Sequence, residues 1–231
     1  MKQILLVIPA FNEESNIERV AEDLLNNHPE LDFMIINDGS TDDTSRICHE
    51  KGYPIIDHAH NMGLAGAFHT GMEYAYKHGY ECAVQFDGDG QHRAEFVLPM
   101  YEKMKEGYDI VIASRFIGRM KPPGMRMVGS NMIEAAIRLT TGVDIKDPTS
   151  GMRMYDRKIL KIFTERLEYP PEPNTLALLI KNGARVAEIP AVMDERVSGE
   201  SYLKPMVAAR YMLRMLRSIL ITQTISRGRR C

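Results

Sequence analysis

A doubly wound, mainly parallel α/β sheet is the fold class that this 231-residue sequence predicts. Three observations predict it. Short apolar runs recur through the first half, each followed by apolar residues at helical intervals. The runs are continuous rather than alternating, as expected of strands covered on both faces. Each also ends in a cluster of small and polar residues of the kind that turns require.

The first run, Ile4 to Ile8, ends at Pro9-Ala10-Phe11-Asn12-Glu13-Glu14. Asn12 or Ser15 can cap the helix that follows, with Glu13 and Glu14 in its first turn and Ile17, Val20, Ala21, Leu24 and Leu25 on its apolar side. Phe33 to Ile36 is the second strand, running into Asn37-Asp38-Gly39-Ser40-Thr41. Ser40 or Thr41 reads as the next N-cap. Asp38 stands at the carboxyl end of its strand, where open α/β sheets bind ligands, although an Asx-turn is compatible with the same position. Tyr53 to Ile56 is a short third strand. After it, Gly63, Ala65, Gly66, Ala67 and Gly71 let a helix pack closely on the sheet or admit a phosphate near its N-terminus. The spacing matches neither a Walker loop nor a dinucleotide fingerprint.

Cys82 to Phe86 is the fourth strand, and it breaks into Asp87-Gly88-Asp89-Gly90-Gln91-His92. Two carboxylates two residues apart on extended backbone share a side. Oxygen ligands at a strand end suit Mg²⁺ or Mn²⁺ together with a diphosphate, with Gln91 and His92 as further ligands or orienters. A plain Asp-Gly turn is the competing reading. An amphipathic helix over Glu95 to Lys105 leads to the fifth strand, Asp109 to Ala113, which ends in Ser114-Arg115. The loops at Glu13, Asp38, Gly63, Asp87/Asp89 and Arg115 should therefore share one rim.

Beyond Arg119 the chain turns basic and rich in Pro, Gly and Met, which suggests a mobile loop over that rim. A helix from Ser130 to Thr140, a turn at Asp147-Pro148-Thr149-Ser150-Gly151, a strand from Met152 to Tyr155 and a helix capped by Asp156 follow. Tyr169 to Pro173 stiffens the approach to a helix over Asn174 to Lys181, and Arg185 to Pro190 is the last strand. A polar loop with Arg196 precedes a tail helix that begins near Leu203.

Bulk properties set limits. The chain is 44% hydrophobic and 26% charged, ordinary for a globular domain, and its formal net charge of -2 argues against whole-surface nucleic-acid binding. Cys48, Cys82 and Cys231 are too scattered for a disulfide framework or a Cys-based zinc site, which points to a reducing, cytoplasmic setting. The opening apolar run is too short for a secretory signal, and no stretch is long and apolar enough to span a bilayer. After Glu200 no acidic residue occurs, and Arg210, Arg214 and Arg217 line one side of the tail helix. Such a helix suits an anionic membrane surface; packing on the sheet or against a second subunit in a homo-oligomer is the alternative.

The ordered set Val7 to Glu14, Asn37 to Asp42, Asn61-Met62-Gly63 with Gly71, Asp87 to His92, Asp147 to Gly151, and Arg196 with Gly199 and Ser201 resembles the family 2 glycosyltransferases of the GT-A fold. Within them it looks most like the dolichyl- or polyprenyl-phosphate sugar transferase group. The resemblance implies one GT-A domain over residues 1–201, with a nucleotide and metal half (1–115) and an acceptor half (116–201), followed by a basic tail (202–231). It implies that Pro9, Phe11, Glu13, Asp38, Gly63 and Gly88 border the nucleoside-diphosphate sugar, with UDP as the default nucleotide. Asp87, Asp89 and Gln91 would hold Mg²⁺ or Mn²⁺, and Arg115 and Arg196 would contact phosphate. Transfer would invert the anomeric centre, with polyprenyl phosphate as acceptor at the cytoplasmic membrane face, where a small membrane protein is a further partner. A glycan hydroxyl acceptor would need a base, for which Asp147 and Glu172 are the candidates. More remote readings are a nucleotidyltransferase and a non-catalytic nucleotide-sugar-binding protein.

Overall fold

The computed structural model describes residues 2–194 and 205–222. Its centre is a seven-stranded sheet of β1 (Lys2–Ala10), β2 (Asp32–Asn37), β3 (Ile55–Asp57), β4 (Tyr80–Gln85), β5 (Ile110–Ser114), β6 (Arg153–Asp156) and β7 (Val186–Pro190), in the order β3-β2-β1-β4-β6-β5-β7. All neighbours run parallel except at β6, which is antiparallel to both β4 and β5. The helices are α1 (Ile17–Asn27), α2 (Thr44–Lys51), α3 (Gly63–Lys77), α4 (Val97–Lys105), α5 (Met125–Thr141), α6 (Arg157–Glu165), α7 (Pro173–Lys181) and α8 (Pro205–Arg217), which runs on into a π-helical turn over Ser218–Thr222.

Strand periodicity divides the core in two. Leu5 and Val7 of β1 join one buried cluster with Phe68 and Met72 of α3 and Ile133 and Ile137 of α5. Ile4, Leu6 and Ile8 join the other, with Val20 and Leu24 of α1 and Val97 and Met100 of α4. In β5, Ile110 and Ile112 face the first cluster while Val111 and Ala113 face the second. Burial on both faces explains why these strands read as unbroken apolar runs.

Several local expectations need correction. The helix expected from Ser130 starts at Met125, so the basic Pro/Gly segment is a shorter loop. Lys121 ties that loop to α5 through bonds of 2.9 Å to Asn131 Oδ1 and 2.6 Å to Glu134 Oε2. Neither Asn12 nor Ser15 caps α1, whose N-cap is Asn16, and neither Ser40 nor Thr41 caps α2, whose N-cap is Asp43. Asn12 and Ser40 are used between loops instead. Asn12 adopts φ 57°, a left-handed conformation that asparagine tolerates. Its backbone N–H donates to Ser40 Oγ (3.0 Å), and its Oδ1 accepts from the Thr41 N–H (2.9 Å). Asp156 does cap α6, accepting from the Ile159 N–H at 2.8 Å.

The C-terminal helix packs into the body of the protein. Met215 and Ile219 are fully buried in the first cluster, and Met212 of α8 lies against Gly129 of α5. No helix among the described residues is long and apolar enough to cross a membrane.

Candidate active site at the carboxyl rim of the sheet

Because β1, β2, β3 and β4 are parallel, the loops that leave them gather at one rim. They enclose a cleft of 450 Å³ lined by Pro9, Phe11, Glu13, Asp38, Gly63, Asp87, Gly88 and Asp89 among others. Eight residues singled out from the sequence thus meet at one cavity. Hydrogen bonds hold the loops after β1 and β2 together beside it. The Glu13 N–H donates to Thr44 Oγ1 (2.8 Å), the Glu14 N–H to Asp42 Oδ2 (3.1 Å), and the Asp43 N–H to Glu14 Oε2 (3.0 Å).

Asp38 is buried, and its Oδ1 accepts from the Met62 N–H and from His58 Nδ1, both at 2.8 Å. The far side of the His58 ring meets Thr70 Oγ1 of α3 at 2.9 Å. Both bonds end on one oxygen, so Oδ2 is the one left to a ligand in the cleft. His58 was not singled out from the sequence; its place one residue after a strand end was the available signal.

On the Asp87–His92 loop, Gly90 takes φ +77°, and a Cβ on Gly88 would stand 3.2 Å from the Pro9 carbonyl oxygen. These are close quarters that favour glycine. Asp89 is 5% exposed, and its Oδ1 accepts from the Gln91 N–H at 3.0 Å. The Asp87 N–H donates to His92 Nδ1 at 2.9 Å, so the ring carries its proton on Nε2, which lies 3.4 Å from Asp87 Oδ2. The His92 side chain is only 2% exposed. It therefore orients Asp87 from behind the cleft. Gly151 closes over the same pair, since a Cβ there would lie 3.1 Å from Asp87 Oδ2 and 3.4 Å from His92 Cε1.

The two carboxylates offer the oxygen ligands that a hard divalent cation takes. Among the described residues no group of three acidic, His or Cys side chains forms a complete metal cage. Gln91 is not part of the cleft wall; its Nε2 donates to the Asp194 carbonyl at 3.3 Å, and from this loop Asp87, Gly88 and Asp89 line the cavity.

Arg115 and Asp147 lie outside this wall and grip each other. Asp147 Oδ2 accepts from the Arg115 N–H (3.0 Å) and Nε (2.7 Å), while Oδ1 accepts from Arg115 Nη2 (2.8 Å) and Thr149 Oγ1 (3.2 Å). Burial would raise the Asp147 pKa, but the hydrogen bonds and charge of Arg115 outweigh it and hold the carboxyl below its ordinary value. A carboxylate with every strong acceptor position filled and its pKa lowered is poorly suited to be a general base. Glu172 is the N-cap residue of α7, but its side chain makes no cap; Oε1 accepts from Arg214 Nη2 of α8 at 3.0 Å. Arg196 lies outside the described residues.

The sequence reading missed Arg153. It is 3% exposed at the start of β6, where Nε donates to the Ser150 carbonyl (2.9 Å) and Nη2 to the Pro148 carbonyl (2.7 Å). It thereby holds the turn that carries Asp147 and Gly151. Among the described residues, the buried hydroxyls of Ser114 and Ser130 have no hydrogen-bond partner.

With this geometry in place, likeness to known proteins is informative. The family model described as glycosyl transferase family 2 matches residues 5–163. Polyprenol monophosphomannose synthase of Mycolicibacterium smegmatis is 29% identical over 213 residues, covering 87% of this chain and 80% of the relative. The UDP-N-acetylglucosamine–dolichyl-phosphate N-acetylglucosaminyltransferase of Methanococcus voltae is 31% identical over 216 residues, covering 82% and 84%. Among solved structures, glucosyl-3-phosphoglycerate synthase of Mycobacterium tuberculosis with phosphoglyceric acid superposes with a TM-score of 0.70 at 19% identity, over 95% of this chain and 80% of the other. The same synthase holding Mn²⁺, UDP and glucosyl-3-phosphoglycerate gives a TM-score of 0.65 at 19% identity over 96% and 80%. At these identities the structural likeness speaks to the fold, which is GT-A.

Proposed function

The chain belongs to glycosyl transferase family 2, and from that premise we propose that it transfers a sugar from a nucleoside-diphosphate sugar to a polyprenyl phosphate, with inversion at the anomeric carbon. One observation carries the choice of acceptor. Both carboxylates considered as bases, Asp147 and Glu172, are committed to arginines, at 2.7 Å and 3.0 Å. A hydroxyl acceptor needs a base to take its proton. A lipid phosphate brings an oxygen that is already anionic. The relatives named for polyprenol and dolichyl phosphate support the same choice.

In this reading Pro9, Phe11, Glu13 and Gly63 border the nucleoside, and Asp38 presents its unbonded oxygen to it. Asp87 and Asp89 would hold Mg²⁺ or Mn²⁺, which when bound offsets charge that develops on the departing diphosphate. His92 and Gly151 keep Asp87 in place for that task. Arg115, oriented by Asp147, keeps Nη1 outside the pair as a donor for phosphate. The acceptor oxygen attacks the anomeric carbon as the bond to the diphosphate breaks on the opposite face. UDP is the default nucleotide, and the reaction takes place where the lipid resides, at the cytoplasmic membrane face.

The test is a mass-spectrometric transfer assay with UDP-, GDP- and dTDP-sugars, Mn²⁺ and short-chain polyprenyl phosphate, beside an Asp89→Ala control. The expected product is a lipid-linked sugar phosphate that the control fails to make. Transfer to glycan hydroxyls with no lipid product would overturn the acceptor assignment.

A further inference from the structure

An apolar surface that the cleft does not explain lies on the helices that pack against each other at Gly129 and Met212. In α5, Val128, Met132 and Leu139 are 51%, 49% and 80% exposed. At a helical pitch of 100° per residue, positions 128, 132, 135 and 139 form one stripe. The core side of α5 is marked by Ile133 and Ile137, which are fully buried. The stripe falls between the outward direction and the flank at Gly129, where a Cβ would stand 2.8 Å from Met212 Cγ.

The same construction holds on α8 and the π-helical turn that continues it. Met215 and Ile219 face the core, Met212 faces α5, and Leu213 (69% exposed) and Leu220 (40%) lie between that contact and the outward side. The two apolar stripes therefore flank one seam on the outer surface. Met120, 96% exposed, stands in the loop that Lys121 ties to α5.

The charges beside the seam are mainly positive, and the acidic side chains that reach it, Glu134 and Glu172, are each engaged by a basic one, Lys121 and Arg214. Arg210, Arg214 and Arg217 are exposed on α8, and Arg138 on α5. No acidic residue occurs between Pro205 and Thr222, and the acidic residue of α5, Glu134, is held by Lys121 at 2.6 Å. A second copy meeting this face by two-fold symmetry would set these arginines against themselves. An anionic lipid surface instead offers acyl chains to the leucines and methionines and phosphates to the arginines.

We propose that the outer face of the α5–α8 pair docks the protein on an anionic lipid surface, with the α5 stripe as an apolar anchor beside the basic helix. This rests on the proposed use of a lipid acceptor for its purpose but not for its test. The full-length protein is floated with vesicles of phosphatidylglycerol and phosphatidylcholine, or of phosphatidylcholine alone, and compared with Met132→Gln/Leu139→Gln and Arg210→Gln/Arg217→Gln variants. Each pair changes exposed side chains, and thermal melting verifies the fold. The parent should float with the anionic vesicles and release in high salt. The α5 variant should bind about tenfold less, as expected for withdrawing two large apolar side chains from the interface. The arginine variant should lose its preference for phosphatidylglycerol. Undiminished binding by the α5 variant would overturn the proposal. So would a dimer in gel filtration that the α5 substitutions dissolve, since the seam would then belong to a second copy. Transfer to a short-chain acceptor in vesicle-free solution tests the enzymatic reading separately and should survive the α5 substitutions.

Discussion

Replacing Asp147 by Asn separates a base from a structural carboxylate. Each Asp147 oxygen accepts two hydrogen bonds, from the Arg115 N–H and Nε on one and from Arg115 Nη2 and Thr149 Oγ1 on the other. Whichever oxygen becomes an amide NH₂, it faces donors where acceptors are needed. Hydrogen bonds to charged groups contribute about 1.5–3 kcal/mol each, and the Arg115 side chain is 34% exposed, which weakens its share. A loss of about 3 kcal/mol is expected for the pair as a whole. For a chain of this size that is a fall of roughly 6–12 °C in melting temperature. Calorimetry and transfer kinetics are measured on the same preparation. Turnover below the melting range should fall far less than the about 10²–10⁴-fold that loss of a general base brings. The pH dependence carries a sign. The folded pKa of Asp147 is lowered, so its stabilisation is present above the unfolded value and is lost as pH falls through the folded value. The gap in melting temperature between parent and Asp147→Asn should therefore narrow in acid. A variant that melts with the parent yet has lost a thousandfold in turnover would refute this reasoning and restore Asp147 as the base.

Asp89→Ala should abolish transfer while shifting the melting temperature by only a few degrees; retained turnover with Mn²⁺ present would remove Asp89 from the metal site. His92→Asn keeps an acceptor for the Asp87 N–H but loses Nε2, 3.4 Å from the Asp87 carboxylate. It should raise the half-saturating Mn²⁺ concentration by several-fold with the fold intact, and an unchanged Mn²⁺ requirement would leave the ring with a packing role. Gly71→Ala places a methyl into the side chain of Val7, whose Cγ2 would be 2.9 Å away. Such overpacking should cost about 1–3 kcal/mol, read as a lower urea midpoint.

The rim of the cleft was legible in the sequence because its determinants are local. Each strand is a continuous apolar run, and each run stops in residues that turn. Parallel order then forces Phe11, Asp38, Gly63 and Asp87 to one edge without any knowledge of register. Side-chain partnerships were not legible, because they join residues far apart in the chain. Asp147 and Glu172 carry the same turn and cap signals whether they are free or paired. Only the fold shows Arg115 across 32 positions and Arg214 across 42. Asn12 and Ser40 failed as caps for the same reason: a polar side chain at a strand end can bond its own helix or the neighbouring loop, and the loop spacing decides.

The direction of β6 is the most consequential fact that local pattern does not contain. Met152 to Tyr155 reads as a strand in either sense. Inserted antiparallel between β4 and β5, it brings its first residue to the rim, pairing Arg153 with Gln85 and Ile112. The turn before it is thereby delivered over the loop after β4, where Gly151 meets Asp87 and His92. A parallel β6 would carry that turn to the opposite edge of the sheet, away from both carboxylates. The contact of Gly151 with Asp87 and His92 is thus a product of strand direction. It also places the buried guanidinium of Arg153 where it can hold Pro148 and Ser150 by their carbonyls, and so set Asp147 against Arg115.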